Sequence, residues 1–166
     1  MNLQFTAISE QNRSDFDRLM RKYSAELDFN SGNPTPPEFL TKWINSIIRL
    51  QQNGDPDRHL EYCHNGENLI GFLYGKIDHP EHRGYKKIGY GYIMEFFVLP
   101  EYRRNGYGAA MFRRLEQLFS ADGAARMYLT TDSLAGERFW QAMGFVPTGE
   151  ISPENGDPIY EKEVQS

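Results

Sequence analysis

The 166-residue sequence lacks three features that would each indicate a different class of protein. It has a single cysteine, Cys63, so no disulfide can form within the chain, as is usual in a reducing cytoplasm. No apolar run approaches the roughly 20 residues that a membrane-spanning helix needs. The N-terminus lacks the basic start and the apolar core of a signal peptide. We therefore expect a cytoplasmic protein with no membrane partner.

The chain also lacks an excess of basic residues. Lysine and arginine total 18 against 23 aspartate and glutamate, which gives a net charge of −5. Because nucleic-acid binding needs a basic surface that neutralises phosphates, this balance disfavours a nucleic-acid partner. Hydrophobic residues make up 39% of the chain, which is enough to build a core at this length. We expect one domain over residues 1–166, in which any anion site is local.

Hydrophobic periodicity predicts the order β-α-α-β-β-β-α-β-α-β-β, a mixed α/β sheet with helices packed on it. Residues 28–37 are predicted to be a loop between the first two helices, because they are rich in Gly, Asn and Pro. Asn65-Gly66 predicts a tight hairpin turn. The most strand-like run is 88–98, in which Gly89 and Gly91 favour a bend or bulge.

The stretch PEYRRNGYG, Pro100–Gly108, lies between that strand and the next helix. Glycine lets the backbone approach a ligand closely, and the first N–H groups of a helix have no partner within it. Those amides and the helix dipole favour a phosphate, and Arg103 and Arg104 add cationic donors. The stretch thus indicates a phosphorylated ligand. On spacing alone, a turn that merely caps the helix is an equal alternative.

Two common phosphate loops are disfavoured at this position. No Gly-Lys-Ser/Thr follows the glycines, so a nucleoside-triphosphate loop does not fit. A dinucleotide loop follows an early strand, whereas this stretch follows two hairpin strands. A nucleotide-binding module of another kind stays open as an alternative.

The segment VLPEYRRNGYGAAMF resembles the acyl-CoA-binding motif of the GCN5-related N-acetyltransferase (GNAT) superfamily. That motif is Arg/Gln-x-x-Gly-x-Gly/Ala, and Arg103, Gly106 and Gly108 match its three positions. A second segment, TTDSLAGERFWQAMGF, resembles the later helix of the family, which ends in aromatic-Tyr-x-x-x-Gly-Phe. The element order agrees over nearly the whole chain. The resemblance implies the GNAT fold and acetyl-CoA as cofactor.

By this resemblance, backbone N–H groups of the loop hold the pyrophosphate of coenzyme A. The predicted cofactor-binding residues of the loop are Arg103, Arg104, Asn105, Gly106, Tyr107, Gly108 and Ala109. The amides of Val98 and Leu99 are the candidates to polarise the thioester carbonyl. Ser133 takes the place of an asparagine that often touches the cofactor arm, although it is equally suited to cap a helix.

The resemblance also implies direct transfer to an amine within a ternary complex, without an acyl-enzyme. Glu95 is the candidate base, because burial in its apolar strand would raise its pKa toward neutrality; its alternative role is a salt bridge. The tyrosine that usually protonates the leaving thiolate is replaced by Trp140, and an indole cannot donate a proton in this way. Either another group protonates the thiolate, with Tyr128 and Tyr160 as distant candidates, or the thiolate leaves with the help of water.

The predicted function is acetyl-CoA-dependent N-acetylation of a primary amine, with a small molecule favoured over a peptide or protein lysine. Glu26 and Asp28 are candidates to attract a cationic acceptor. The alternative is a non-catalytic acyl-CoA-binding regulatory domain, which Trp140 keeps open. Dimers are common in the superfamily, so a homodimer also stays open. No metal is expected, since His79 and His82 have no third ligand in the sequence pattern.

Overall fold

The computed structural model describes residues 1–166 and has the predicted order of strands and helices. Seven strands form one mixed sheet in the order β1-β2-β3-β4-β5-β7-β6. The strands are β1 (Leu3–Ala7), β2 (Arg58–Asn65), β3 (Asn68–Ile77), β4 (Gly91–Val98), β5 (Arg126–Thr130), β6 (Val146–Ile151) and β7 (Pro158–Glu163). The helices are α1 (Ser14–Ser31), α2 (Pro37–Asn53), α3 (Tyr107–Ala121) and α4 (Leu134–Ala142). The predicted fold class is confirmed.

The chain divides into two compact units. One comprises Met1–Tyr74 and Phe96–Tyr107, and the other comprises Gly75–Glu95 and Gly108–Ser166. The strands β3 and β4 each contribute residues to both units. The single domain over residues 1–166 stays a prediction.

In the first unit, α1 and α2 bury their apolar faces. The ring of Phe72 in β3 contacts Phe16 edge-on, with centroids 5.2 Å apart, and Tyr23 at 5.8 Å. Leu40 and Ile44 are the buried positions at the start of α2, whereas the side chain of Phe39 is 59% exposed. Because one helical residue turns the direction by about 100°, Phe39 lies off the apolar stripe although it precedes Leu40.

The helix α1 is longer than predicted. It continues through Asp28 to Ser31, and the loop begins only at Gly32. Gly32 has φ of 74°, and its N–H donates to the Asp28 carbonyl at 2.9 Å, which ends the helix in the usual glycine manner. The polar residues of the last helical turn gave this part of the sequence the composition of a loop. The residue that ends the helix is Gly32.

In the second unit, β5 pairs antiparallel with β7, and β6 lies at the edge beyond β7. Gly91 makes room for α3, because a Cβ at this position would lie 2.4 Å from the ring of Phe119. Gly75 in β3 leaves room for the same ring. These two glycines thus let α3 pack closely on the sheet, which the sequence pattern did not distinguish from a bulge.

The strand β4 begins three residues later than predicted, at Gly91. Before it, the N–H of Asp78 donates to the Tyr90 carbonyl, and the N–H of Gly89 donates to the Asp78 carbonyl. Gly89 and Tyr90 thus both pair with the single residue Asp78, and Gly89 has φ of 85°. This arrangement is a β-bulge with glycine in the left-handed position. The bend predicted at Gly89 is confirmed.

Candidate active site

The loop that follows β4 turns twice through left-handed backbone. After a short 3-10 turn, Pro100–Tyr102, Arg104 has φ of 64° and Gly106 has φ of 83°. Arg104 is the one non-glycine residue of the chain with a positive φ. Such a conformation costs a non-glycine residue about 1–2 kcal/mol and is concentrated at functional sites.

The helix α3 starts directly after this turn, at Tyr107. Its first N–H groups have no intrahelical acceptor, and no acidic residue lies in its first turn. The sequence has no carboxylate between Glu101 and Glu116, and it has four arginines there. An ideal Cβ on Gly106 would meet only the methyl group of Met1, at 3.6 Å. The chemistry of this donor set fits a pyrophosphate.

Two predicted cofactor residues use their side chains to brace the loop. The Asn105 side chain donates to the carbonyls of Arg103, at 3.0 Å, and of Tyr102, at 3.3 Å. The Tyr107 hydroxyl accepts from the Asn65 amide at 2.8 Å. What Asn105 and Tyr107 offer a ligand is therefore their backbone N–H groups.

The side chain of Arg103, which the sequence predicted as a phosphate donor, contacts other residues of the protein. One terminal guanidinium nitrogen lies 2.8 and 3.0 Å from the two carboxylate oxygens of Glu26 in α1. Its Nε donates to the Val98 carbonyl at 2.9 Å, and its backbone N–H donates to Pro100. The side chain is committed to α1 and to the end of β4. The sequence could not show this, because Glu26 lies 77 residues away.

The Glu26 carboxylate is thus an ion-pair partner of Arg103. Asp28 is also engaged, because its carboxylate accepts from the backbone N–H of Thr35 at 2.9 Å and from the Thr35 hydroxyl at 2.6 Å. These hydrogen bonds lower the pKa of Asp28. Both carboxylates proposed for a cationic acceptor therefore have structural roles in the first unit.

The strand β4 contains an irregularity in its pairing with β3. The N–H of Asp78 in the turn after β3 donates to Tyr90, and the N–H of Leu99 donates to Ile70 of β3 at 2.9 Å. From Asp78 back to Ile70 is eight residues, whereas from Tyr90 to Leu99 is nine. An antiparallel ladder advances equally on both strands, so β4 holds one extra residue, a second β-bulge.

This register distinguishes the two candidate carbonyl donors. The Leu99 N–H is the donor that is already bonded to β3, so its role toward the thioester carbonyl stays a prediction. The Val98 carbonyl accepts from Arg103 and not from β3. In a regular strand the N–H and C=O of one residue point to the same edge, which predicts that the Val98 N–H faces the edge opposite β3. Val98 stays the candidate donor.

A glycine that the sequence analysis missed lies against this bulge. An ideal Cβ on Gly71 of β3 would lie 1.9 Å from the Phe97 carbonyl oxygen and 3.1 Å from the Val98 Cα. Only a residue without a Cβ lets β4 approach β3 so closely. A glycine inside an apolar strand was the available signal, since it often marks close backbone approach.

On its other edge, β4 pairs with β5 over a short distance. The parallel register joins Gly91 to Met127 and ends with Tyr92 and Tyr128. The rings of Tyr92 and Tyr128 stack with centroids 4.5 Å apart and an interplanar angle of 4°. The Tyr128 hydroxyl donates to the buried carboxylate of Asp78. This stack marks the point at which β4 and β5 stop pairing.

Glu95 follows that point by three residues and is half-buried in β4. Burial raises the pKa of the neighbouring Tyr92 phenol to about 12, and the charges of Glu95 and Glu154 add to the rise. Asp78 and Asp157 contribute in the same direction. The potential around Tyr92 is therefore negative, which favours a cation over an anion. Glu95 as base stays a prediction.

The later motif residues have clear structural roles. The Ser133 hydroxyl caps α4 by accepting from the Gly136 N–H at 3.0 Å. Trp140 is 8% exposed, and its ring contacts Phe112 at 5.8 Å and Phe145 at 5.5 Å. Trp140 is a core residue in the aromatic cluster that packs α4 against α3. Cofactor contact by Ser133 stays a prediction.

The two tyrosines considered as acids are both buried and hydrogen-bonded. Burial and the hydrogen bond to Asp78 raise the pKa of Tyr128 far above its usual value. Burial and a hydrogen bond to Glu137 also raise the pKa of Tyr160. Both phenols therefore stay protonated at neutral pH. Cys63 is fully buried in β2, and burial raises the pKa of its thiol to about 11.

These features agree with a comparison against protein families. The model of the acetyltransferase (GNAT) family matches residues 17–145, which is most of the chain. The chain belongs to the GNAT acetyltransferase family. It is an acetyltransferase, and its cofactor is acetyl-CoA. A search of curated protein sequences finds no significant match.

Solved structures share the fold of this acetyltransferase at low sequence identity. The PaiA N-acetyltransferase of Thermoplasma acidophilum, solved with coenzyme A, is 19% identical with a TM-score of 0.71, over 98% of this chain and 99% of that chain. An acetyltransferase of Thermus thermophilus is 18% identical with a TM-score of 0.71, over 98% and 97%. The ribosomal-protein-S18-alanine N-acetyltransferase of Escherichia coli is 10% identical with a TM-score of 0.64, over 99% and 96%. None of the helices of this acetyltransferase has the length and apolarity to cross a bilayer.

Proposed function

We propose that this acetyltransferase transfers the acetyl group directly to a primary amine, with a small-molecule amine as acceptor. The observations that carry the proposal are the bond from the Leu99 N–H to Ile70 and the bond from Arg103 to the Val98 carbonyl. From them we infer that the Val98 N–H, three residues after Glu95, faces away from β3. Acetyl-CoA supplies an activated acetyl thioester when it is bound. The residues of the chain then have three tasks: to hold the cofactor, to stabilise negative charge and to remove a proton.

The cofactor is held through its pyrophosphate by backbone N–H groups of the loop. The proposed residues are Arg104, Asn105, Gly106, Tyr107, Gly108 and Ala109. The left-handed turns at Arg104 and Gly106 aim these amides, and the α3 dipole adds to their attraction for phosphate. Arg104 is exposed at the rim and supplies the cationic side chain there. Ser133 lies at the N-terminus of α4 as a further candidate contact for the cofactor arm.

The Val98 N–H is the proposed donor to the carbonyl oxygen that gains negative charge during acyl transfer. A preorganised donor of this kind contributes about 3–4 kcal/mol to catalysis. Glu95 is the proposed base that takes a proton from the ammonium group of the acceptor. A positioned base contributes about 10²–10⁴ in rate. Trp140 cannot protonate the thiolate, so no residue of the late helix is assigned to that step.

The negative surroundings of Tyr92 support a cationic acceptor. Glu95, Glu154 and Asp157 all act on the Tyr92 phenol, and a positively charged amine is attracted to such a potential. Burial raises the pKa of Asp157, and the nearby charge of Asp132 adds to the rise.

The test is a bisubstrate rate measurement. The purified acetyltransferase is mixed with acetyl-CoA and a panel of primary amines, amino acids, lysine peptides and dicationic amines, and thiol release is followed. Direct transfer predicts intersecting double-reciprocal lines with the best acceptor, because both substrates must be bound together. Parallel lines would indicate an acetylated enzyme and contradict direct transfer. A peptide lysine as the best acceptor would contradict the small-molecule assignment.

A further inference from the structure

The side chain of Arg103 joins three parts of the first unit. Its Nε donates to the Val98 carbonyl at 2.9 Å, and one Nη lies 2.8 and 3.0 Å from the carboxylate oxygens of Glu26. Its guanidinium also lies over the ring of Phe97, 5.6 Å from the centroid. These contacts use Nε and one Nη of the guanidinium, and they hold the side chain against α1 and the end of β4.

These contacts hold one peptide group from both edges of β4. In the peptide between Val98 and Leu99, the carbonyl accepts from Arg103 and the N–H donates to the Ile70 carbonyl at 2.9 Å. A peptide group is planar, so bonds on opposite sides fix its rotation about the strand axis. The preceding peptide carries the Val98 N–H, whose direction depends on that rotation.

We infer that Arg103 is a positioning residue that aims the Val98 N–H, and that Glu26 holds Arg103 in place for this role. The inference rests on the proposed function, in which the Val98 N–H stabilises charge on the acetyl oxygen. An arginine suits the task because Nε and Nη are fixed relative to each other, so one side chain reaches two acceptors at set angles. A lysine has a single nitrogen and cannot reproduce both contacts.

The ion pair between Arg103 and Glu26 lies at the surface, so its effect on activity can be measured apart from any effect on folding stability. The Arg103 and Glu26 side chains are 40% and 38% exposed, and ion pairs with such exposure contribute little to folding stability. Replacing either residue should therefore leave the protein folded. Any loss of activity would then come from the direction of the Val98 N–H.

Arg103→Lys and Arg103→Gln separate positioning from phosphate binding. Positioning predicts that both variants lose about tenfold in kcat, while the Kd of coenzyme A measured by calorimetry stays within about twofold. Glu26→Ala should lower kcat in the same direction but less, and the double variant Glu26→Ala/Arg103→Lys should be no slower than Arg103→Lys alone. Arg18→Lys is the matched control, since Arg18 pairs with Asp15 on α1 at 2.9 Å, away from β4. Its kcat and Kd should equal those of the wild type.

A phosphate-binding role predicts a different pattern and would overturn the inference. The Kd of coenzyme A would then rise about tenfold in Arg103→Gln and much less in Arg103→Lys, which keeps the charge. Unchanged kcat in both folded variants would overturn the inference as well.

An NMR measurement distinguishes failure of this inference from failure of the proposed function. The Val98 amide signal is compared between the coenzyme A and acetyl-CoA complexes. In the wild type the acetyl group should shift this signal, and Arg103→Lys should lose the shift. If the wild type shows the shift and Arg103→Lys keeps it, only the role of Arg103 is overturned. If the wild type shows no shift, the Val98 assignment itself is wrong, and the inference falls with it.

Discussion

Gly71→Ala should disable the acetyltransferase without unfolding it. The added Cβ would lie 1.9 Å from the Phe97 carbonyl oxygen and 3.0 Å from the Phe97 carbonyl carbon. An ordinary carbon–oxygen contact is about 3.3 Å, so the backbones of β3 and β4 must separate by roughly 1.4 Å at the bulge. The obstructing atoms belong to the main chain and cannot rotate away as a flexible side chain would.

The expected magnitudes follow from this displacement. Overpacking of this kind costs about 1–3 kcal/mol, which in a chain of this size lowers Tm by roughly 2–12 °C. A displacement of about 1 Å at a reacting group costs about 10²-fold in rate. We therefore expect kcat near one hundredth of the wild-type value. The Kd of coenzyme A should change little, because the loop amides at Arg104–Ala109 are set by their own turns.

Steady-state rates, calorimetric binding of coenzyme A and thermal unfolding would be measured together. Gly123→Ala is the control, because Gly123 has φ of 91° with open space around it in the turn after α3. This variant should lose about 1 kcal/mol of stability through backbone strain and keep its kcat. If Gly71→Ala keeps full activity, or loses it only in proportion to unfolded protein, the argument that the bulge aims the Val98 N–H is refuted.

Three further predictions concern other parts of the chain. Glu95→Gln should lower kcat by about 10²–10⁴ while the calorimetric Kd of coenzyme A stays unchanged, and full activity of this variant would remove Glu95 as the base. Glu116→Ala should lower the free energy of unfolding, measured with denaturant, by about 3–5 kcal/mol, because it leaves a buried lysine without its partner. Lys162 Nζ lies 2.5 Å from the Glu116 carboxylate, and both side chains are about nine-tenths buried. An unchanged free energy of unfolding would mean that water replaces the carboxylate as the partner of Lys162. Burial raises the pKa of the Cys63 thiol to about 11, above its unfolded value, so this group favours the folded state below pH 9 and the advantage is lost as pH rises toward 11. At pH 8 the folded protein should therefore leave an aromatic disulfide reagent unreacted until denaturant is added, and rapid labelling would contradict the buried position of Cys63.

Local signals in the sequence were enough to predict the element order and the glycine-rich turn before α3. The hairpin turn predicted at Asn65-Gly66 has a φ of 62° at Gly66, which is why glycine marked it correctly. The motif residues Gly106 and Gly108 occupy the predicted turn and the first helical turn. These features depend on residues close together in the chain, where propensity and spacing carry the information.

Long-range pairing explains what the sequence did not predict. The partner of Arg103 is Glu26, and the obstacle that requires Gly71 is the Phe97 carbonyl, so neither role is visible in a local window. The commitment of the Leu99 N–H to Ile70 depends on the register of β3 and β4, and one extra residue in β4 changes which amide is available. The exposed ring of Phe39 likewise depends on which face of α2 is covered.

The most direct test of the central claim is calorimetric titration of acetyl-CoA into the wild type and into Gly108→Asp, with ATP as comparison ligand. Gly108 is the second residue of α3, so the substitution adds a carboxylate at the helix start where the pyrophosphate is proposed to bind. The account predicts micromolar binding by the wild type, about −8 kcal/mol, and no binding by the folded variant or of ATP. Equal affinity of acetyl-CoA for the wild type and the folded variant would contradict the assignment of this loop.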